Sequence, residues 1–158
     1  MSIMGKTKIS MTIAGSDSGA GAGIQADLKT FAALNVYGTS VITAVTAQNT
    51  VGVSDFEIMN KKIITSQFNA LISDIYPDSI KIGMLGNHEI INALISCLRK
   101  YPDIPKVLDP VMIAKDGSPL LKRLAVPVLE VLMSLCDVIT PNIPEAICLS
   151  GKQRITNE

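Results

Sequence analysis

The chain has a single histidine, His88, and with only Glu89 beside it no metal site can be proposed there. Cys97, Cys136 and Cys148 are odd in number and show no C-x-x-C spacing. This argues against disulfides and a zinc site and leaves reduced, mostly buried thiols as the expectation. No excess of charge exists: 14 basic residues face 14 acidic ones without a run of either sign. The electrostatic footprint of a nucleic-acid or anionic-lipid partner is therefore missing, and a small neutral partner fits better. No apolar run reaches the ~18 residues of a membrane span, and Met1 to Lys8 lacks the apolar core of a signal peptide. The expectation is a cytoplasmic protein without membrane contact.

What is present is apolar residue, 47% of the chain, with a positive mean hydropathy. A length of 158 residues suits one domain, and this composition leans towards a sheet covered on both faces. The stretch Met11 to Leu34 passes from an apolar run through a glycine-rich turn into a helical pattern, hence strand, loop and helix. Gly15, Gly19, Gly21 and Gly23 allow positive φ and leave backbone N–H groups uncovered for a ligand. Ile24, Leu28, Phe31 and Ala32 recur at helical spacing, so the loop ends at a helix N-terminus, where anions and polar groups are favoured. The plainer reading is a small-residue turn that lets strand and helix pack closely. A dinucleotide fingerprint fails at its third glycine, where Ile24 stands, and the loop closes on Gly23-Ile24-Gln25 where a P-loop needs Gly-Lys-Ser/Thr.

Further along, Tyr37–Val45 reads as a strand buried on both faces, and Val51–Ile58 as a weaker strand at an edge or in a flap. Asn60 caps a helix with Ile63, Ile64, Phe68, Leu71, Ile72 and Ile75 on one face. Ser79–Ile82 is a short strand ending in Gly83-Met-Leu-Gly, and Asn87 caps a second amphipathic helix that Pro102 and Pro105 break. Lys106–Leu108 begins a strand that stops at Asp109-Pro110 and opens a turn-rich loop, VMIAKDGSPLL, compatible with covering a ligand. A helix starts near Pro127, Asp137–Thr140 is the last strand, and Pro144 begins a short helix ended by Gly151. The alternation argues for an α/β sandwich with a mainly parallel sheet and ligands outside the carboxyl ends of its strands.

The candidate polar residues lie at those ends. Gln48 offers a planar donor and acceptor suited to the polar edge of a flat ring, or caps a strand end. Met84 can place a thioether against an aromatic ring, or fill core. Asp17 and Asp27 bracket the glycine loop and can orient a hydroxyl or ammonium-like group, although Asp27 can also simply complement the helix dipole. Asn142 and Glu145, three apart at a turn-to-helix junction, can aim an amide at phosphate and a carboxylate at hydrated Mg²⁺, or form a local cap.

Five blocks, AGSD…GAGIQADLKTF, SVITAVTAQNT, KIGML, VLDPVMIAKDG and DVITPNIPEA, resemble in order the hydroxymethylpyrimidine/phosphomethylpyrimidine kinases of thiamin synthesis, members of the ribokinase-like superfamily. The resemblance implies a ribokinase-like three-layer sandwich and ATP-dependent phosphorylation of 4-amino-5-hydroxymethyl-2-methylpyrimidine and its monophosphate, with ATP and Mg²⁺ as cofactors. It puts Gly15, Asp17, Ala22, Gln48, Met84 and Val111 at the pyrimidine pocket. Asn142 and Glu145 fall at the nucleotide phosphates, with Glu145 towards Mg²⁺. Ala20 stands where many relatives have glycine. Family members continue into an ATP-clasping segment and a Gly-Thr-Gly-Cys turn that supplies the base and an anion hole. Neither occurs here, so no catalytic residue is assigned, and Cys148 lacks the glycine turn needed to substitute. The expectation is that 1–158 is the N-terminal part of one kinase domain, truncated at the C-terminus. Such a part would be inactive alone and prone to self-association, a homodimer included. Pyridoxal kinase activity on the same scaffold, or a non-catalytic pyrimidine-binding module, are the alternatives.

Overall fold

The alternation of apolar and small polar residues in ISMTIAGSD sets the middle of the molecule. The computed structural model describes residues 7–112 and 125–151. Its elements in chain order are β1 (Ile9–Asp17), α1 (Gly23–Ala33), β2 (Tyr37–Gln48), β3 (Val53–Ile58), α2 (Lys61–Asp74) and β4 (Ser79–Ile82). There follow α3 (His88–Leu98), β5 (Lys106–Leu108), α4 (Val126–Met133), β6 (Val138–Ile139) and α5 (Ile143–Ser150). The strands form one six-stranded sheet in the order β3-β2-β1-β4-β5-β6. Every described pairing is parallel except that of β2 with β3, so the edge strand expected near Val51–Ile58 is present and antiparallel.

Strand side chains point alternately to the two faces, and here the two faces differ in chemistry. Met11 and Ile13 of β1, Val41 of β2 and Ile80 and Ile82 of β4 face one way. They meet Ile64 and Phe68 of α2, Ile90, Ile91 and Leu94 of α3, and Leu129 and Leu132 of α4 in one buried core. Full burial of each such side chain is worth about 1.5–3 kcal/mol. The alternate residues Ser10, Thr12 and Lys81 face α1, which buries only Ile24. That helix lies close because β2 carries Gly38, where an added Cβ would sit 2.6 Å from Leu28 Cδ2. The three-layer sandwich is thus apolar on one side of the sheet and largely polar on the other. This corrects the expectation for Tyr37–Val45, whose burial alternates, since only one face of β2 meets the apolar core. Ile63 is also displaced from its expected place, being 43% exposed while Ile64 and Phe68 carry the buried face of α2.

Helix starts follow the sequence closely. The side chains of Asn60, Asn87 and Asn142 accept hydrogen bonds from the backbone N–H of Ile63, Ile90 and Glu145, each cap worth about 0.5–2 kcal/mol. Gly151 ends α5 in the left-handed region at φ 66°. β3 pairs with β2 only from Ala44 onwards. Below that point the Gln67 amide of α2 accepts from Ile42 N–H at 3.0 Å and donates to Ile42 C=O at 3.2 Å. Lys106, 2% exposed, donates its ammonium to the carbonyls of Tyr101, Pro102 and Ile104, so all three of its protons are used. Of the loop read as a ligand cover, residues 111–121, only Val111 and Met112 are among the described residues. No helix among the described residues is long and apolar enough to cross a membrane.

Candidate functional site

β1 does not stop where the glycines begin. It runs on through Gly15 to Asp17, with a register shift against β2 between Ala14 and Ser16. The chain then turns over its own end. The Asp17 carboxylate, 5% exposed, accepts backbone N–H groups from Gly19 at 2.7 Å, Gly21 at 3.0 Å and Ala22 at 2.8 Å. Ala22 is the N-cap of α1 and offers no side-chain cap, and the first turn holds no acidic residue. Asp17 therefore supplies the negative charge that a helix N-terminus favours. This corrects the expectation of N–H groups left open to a ligand, because these three are taken by a side chain of the same loop.

Left-handed φ values also fall elsewhere than expected. In this loop only Gly23 among the glycines has positive φ, at 55°, and a Cβ there would lie 2.2 Å from the Gly15 carbonyl oxygen. Ala20 takes φ 58°, a conformation in which a non-glycine residue is strained. The loop is held to the end of β2 by Ser18, whose Oγ donates to Gln48 C=O at 2.7 Å and accepts from Gln48 N–H at 2.8 Å.

Between the loop, the β2–β3 turn and the carboxyl ends of β1, β4 and β5 lies a pocket of about 770 Å³. Gly15, Asp17, Ala22, Gln48, Met84 and Val111, scattered over 97 positions of sequence, all line it. A Cβ at Gly15 would stand 3.3 Å from Met84 Sδ, so the bare glycine lets the thioether close that wall. Thr46 Oγ1 lies 3.2 Å from Gln48 Oε1, while the Gln48 amide NH₂ has no hydrogen-bond partner among the described residues. A flat apolar ring with a polar edge matches such a cleft.

Asn142 and Glu145 do not line this pocket. They form a capping box: Asn142 Oδ1 accepts from Glu145 N–H and Glu145 Oε2 from Asn142 N–H, both at 2.9 Å. Glu145 is 4% exposed, and Met112 N–H donates to its Oε1 at 3.5 Å. The local cap is thus formed.

Two charged lining residues escaped the sequence reading. Lys81 sits between Ile80 and Ile82 in a four-residue strand and its ammonium donates to Asp27 Oδ2 at 3.1 Å. Asp109, at the end of β5, has its carboxyl pushed up by burial, pulled down by Lys81, and pushed up again by Glu145 and Asp27. A cation inside an apolar strand was the signal for the first. For the second there was only an Asp-Pro pair at a strand end. No group of three or more His, Cys, Asp or Glu side chains able to hold a metal occurs among the described residues.

A mainly parallel sheet with an antiparallel edge strand beside a cleft at its carboxyl ends is the ribokinase-like fold of small-molecule kinases. Solved kinases superpose on it closely. The crystal structure of phosphomethylpyrimidine kinase from Clostridium difficile 630 is 53% identical with a TM-score of 0.88, over 96% of this chain and 65% of that one. The pyridoxal kinase from Staphylococcus aureus in complex with AMP-PCP and pyridoxal is 36% identical with a TM-score of 0.81, over 97% of this chain and 55% of that one. Within that class, residues 17–158 match the phosphomethylpyrimidine kinase family, and the chain belongs to it. The hydroxymethylpyrimidine/phosphomethylpyrimidine kinase of Haemophilus influenzae is 58% identical over 149 residues, 94% of this chain and 55% of that protein. The chain spans about half the length of the curated relatives it matches.

Proposed function

We infer that this chain provides the acceptor site of an ATP-dependent kinase of thiamin biosynthesis. The acceptors are 4-amino-5-hydroxymethyl-2-methylpyrimidine and its monophosphate, and the location is the cytoplasm. The observation that carries the reading is the convergence of Gly15, Asp17, Ala22, Gln48, Met84 and Val111 on one cleft. The Gln48 amide NH₂ faces the polar edge of the ring, Met84 and Val111 take its apolar body, and Asp17 keeps the glycine loop folded over it. ATP is supported by the AMP-PCP bound to the Staphylococcus aureus relative.

Mg²⁺ is commonly held by one or two carboxylates together with substrate phosphates and water. Glu145 offers one such carboxylate, its two oxygens held in place by Met112 N–H and Asn142 N–H. Glu145 would face that ion, and the Asn142 NH₂, without a partner among the described residues, would face phosphate. Bound there, the ion would neutralise charge on the transferring phosphoryl group.

Calorimetric titration of the chain with the aminopyrimidine and with pyridoxal tests the acceptor. The aminopyrimidine is expected to bind, and Gln48→Leu to weaken it by about 1–3 kcal/mol, since polar ligand atoms would be buried unpaired. Binding of pyridoxal without the pyrimidine would move the chain to the pyridoxal kinases. An unchanged dissociation constant in a folded Gln48→Leu protein would take Gln48 out of the site.

A further inference from the structure

Asp27 is more elaborately held than a residue that only complements a helix dipole. Thr12 Oγ1 donates to its Oδ2 at 2.6 Å, and Lys81 Nζ donates to the same oxygen at 3.1 Å. Thr12 is fully buried in β1, and Lys81 stands on the neighbouring β4 opposite it. Both anchors are therefore fixed to the sheet, and rotation of the carboxylate is blocked. Its other oxygen, Oδ1, has no hydrogen-bond partner among the described residues, and Asp27 lines the pocket. An ionised carboxylate only accepts hydrogen bonds. The clamp thus leaves one acceptor oxygen, held in a fixed direction, beside the cleft.

The sheet order shows what this oxygen faces. Gln48 ends β2, Lys81 belongs to β4, and β1 runs between them. A pyrimidine that meets Gln48 through N3 and its 4-amino group carries the 5-hydroxymethyl group on the next ring carbon, at the flank of the ring, from where it reaches across β1 towards Asp27. We propose that Asp27 Oδ1 accepts the hydrogen bond of the acceptor's primary alcohol, with Thr12 and Lys81 as positioning residues. The assignment rests on the acceptor reading given above. An O–H···O⁻ bond is charge-assisted and among the stronger kinds. Drawing the hydroxyl proton to one fixed direction also fixes where the oxygen lone pairs point, which is the geometry an attack on phosphorus requires. Lys81 keeps this acidic group compatible with a half-closed site by balancing its charge.

The test compares equilibrium binding of 4-amino-5-hydroxymethyl-2-methylpyrimidine with that of 4-amino-2,5-dimethylpyrimidine, which lacks only the hydroxyl. The unaltered chain is expected to prefer the alcohol by about tenfold. Asp27→Ala should lower that ratio to less than about twofold, whereas Gln48→Leu should weaken both ligands and leave the ratio intact. Lys81→Met should lower the ratio partway and Lys81→Arg restore it, a pattern that a merely structural ion pair would not give. Equal binding of the two pyrimidines by the unaltered chain overturns the proposal without any variant, and leaves the acceptor reading standing. So does a full preference retained in Asp27→Ala. Failure of both pyrimidines to bind the unaltered chain overturns the acceptor reading together with the proposal.

Discussion

Replacing Asp17 by alanine separates two roles that its position in the pocket leaves superposed. Its two oxygens take three backbone donors at 2.7, 3.0 and 2.8 Å, with the side chain almost wholly buried. Hydrogen bonds to a charged group contribute about 1.5–3 kcal/mol each. Gly19 and Gly21 are exposed, so water can replace the carboxylate at those two donors, whereas Ala22 N–H at the start of α1 is less accessible. The net loss then corresponds to one bond in full and a fraction of two more, about 2–4 kcal/mol. With a urea slope of about 2 kcal/mol/M, the unfolding midpoint should fall by about 1–2 M. Asp17→Asn should fall between, because an amide oxygen can serve one donor while its NH₂ confronts the others. Circular dichroism in urea measures both variants. Amide exchange at Gly19, Gly21 and Ala22 should accelerate in step. A midpoint that does not move, accompanied by a large loss of pyrimidine affinity, would refute the reasoning and assign the carboxylate to the ligand.

Gly23→Ala should be destabilising by more than about 2 kcal/mol, combining left-handed strain with a Cβ 2.2 Å from the Gly15 carbonyl oxygen; a melting temperature equal to the parent's would contradict this geometry. For Asp109 the sign is set by burial, which raises its folded-state pKa above the unfolded value of 3.8. The folded state then binds more protons across that interval, so this residue's contribution to stability falls as pH rises from below 3.8 through the folded pKa. Asp109→Asn should consequently gain in melting temperature relative to the parent between acid and neutral pH, and a difference that is flat or reversed in that range would count against the burial argument.

How much of this was legible beforehand depended on whether a signal was local. The caps at Asn60, Asn87 and Asn142 were readable because an N-cap side chain and the N–H that donates to it lie three residues apart. The parallel sheet was readable because strand and helix periods alternate along the chain. The clamp on Asp27 was not, since Thr12 and Lys81 are 69 positions apart and meet only through the pairing of β1 with β4. Ala20 gave no warning of its left-handed φ, because that conformation is imposed by Asp17 closing the loop around it. The burial of Lys106 was hidden for a similar reason, its acceptors being carbonyls that no side-chain pattern announces.

The amide of Gln67 has a consequence beyond the two hydrogen bonds it makes with Ile42. A border strand with unpaired main-chain groups is a template on which another chain can add, and this is how soluble sheets begin to aggregate. β3 shields β2 only from Ala44 onwards. At Ile42 the glutamine presents one donor and one acceptor in the plane of the sheet, as a peptide unit of a neighbouring strand would. An incoming strand must displace it before gaining anything, so a single side chain from the apolar side of the fold acts as a stopper on the growth of the sheet.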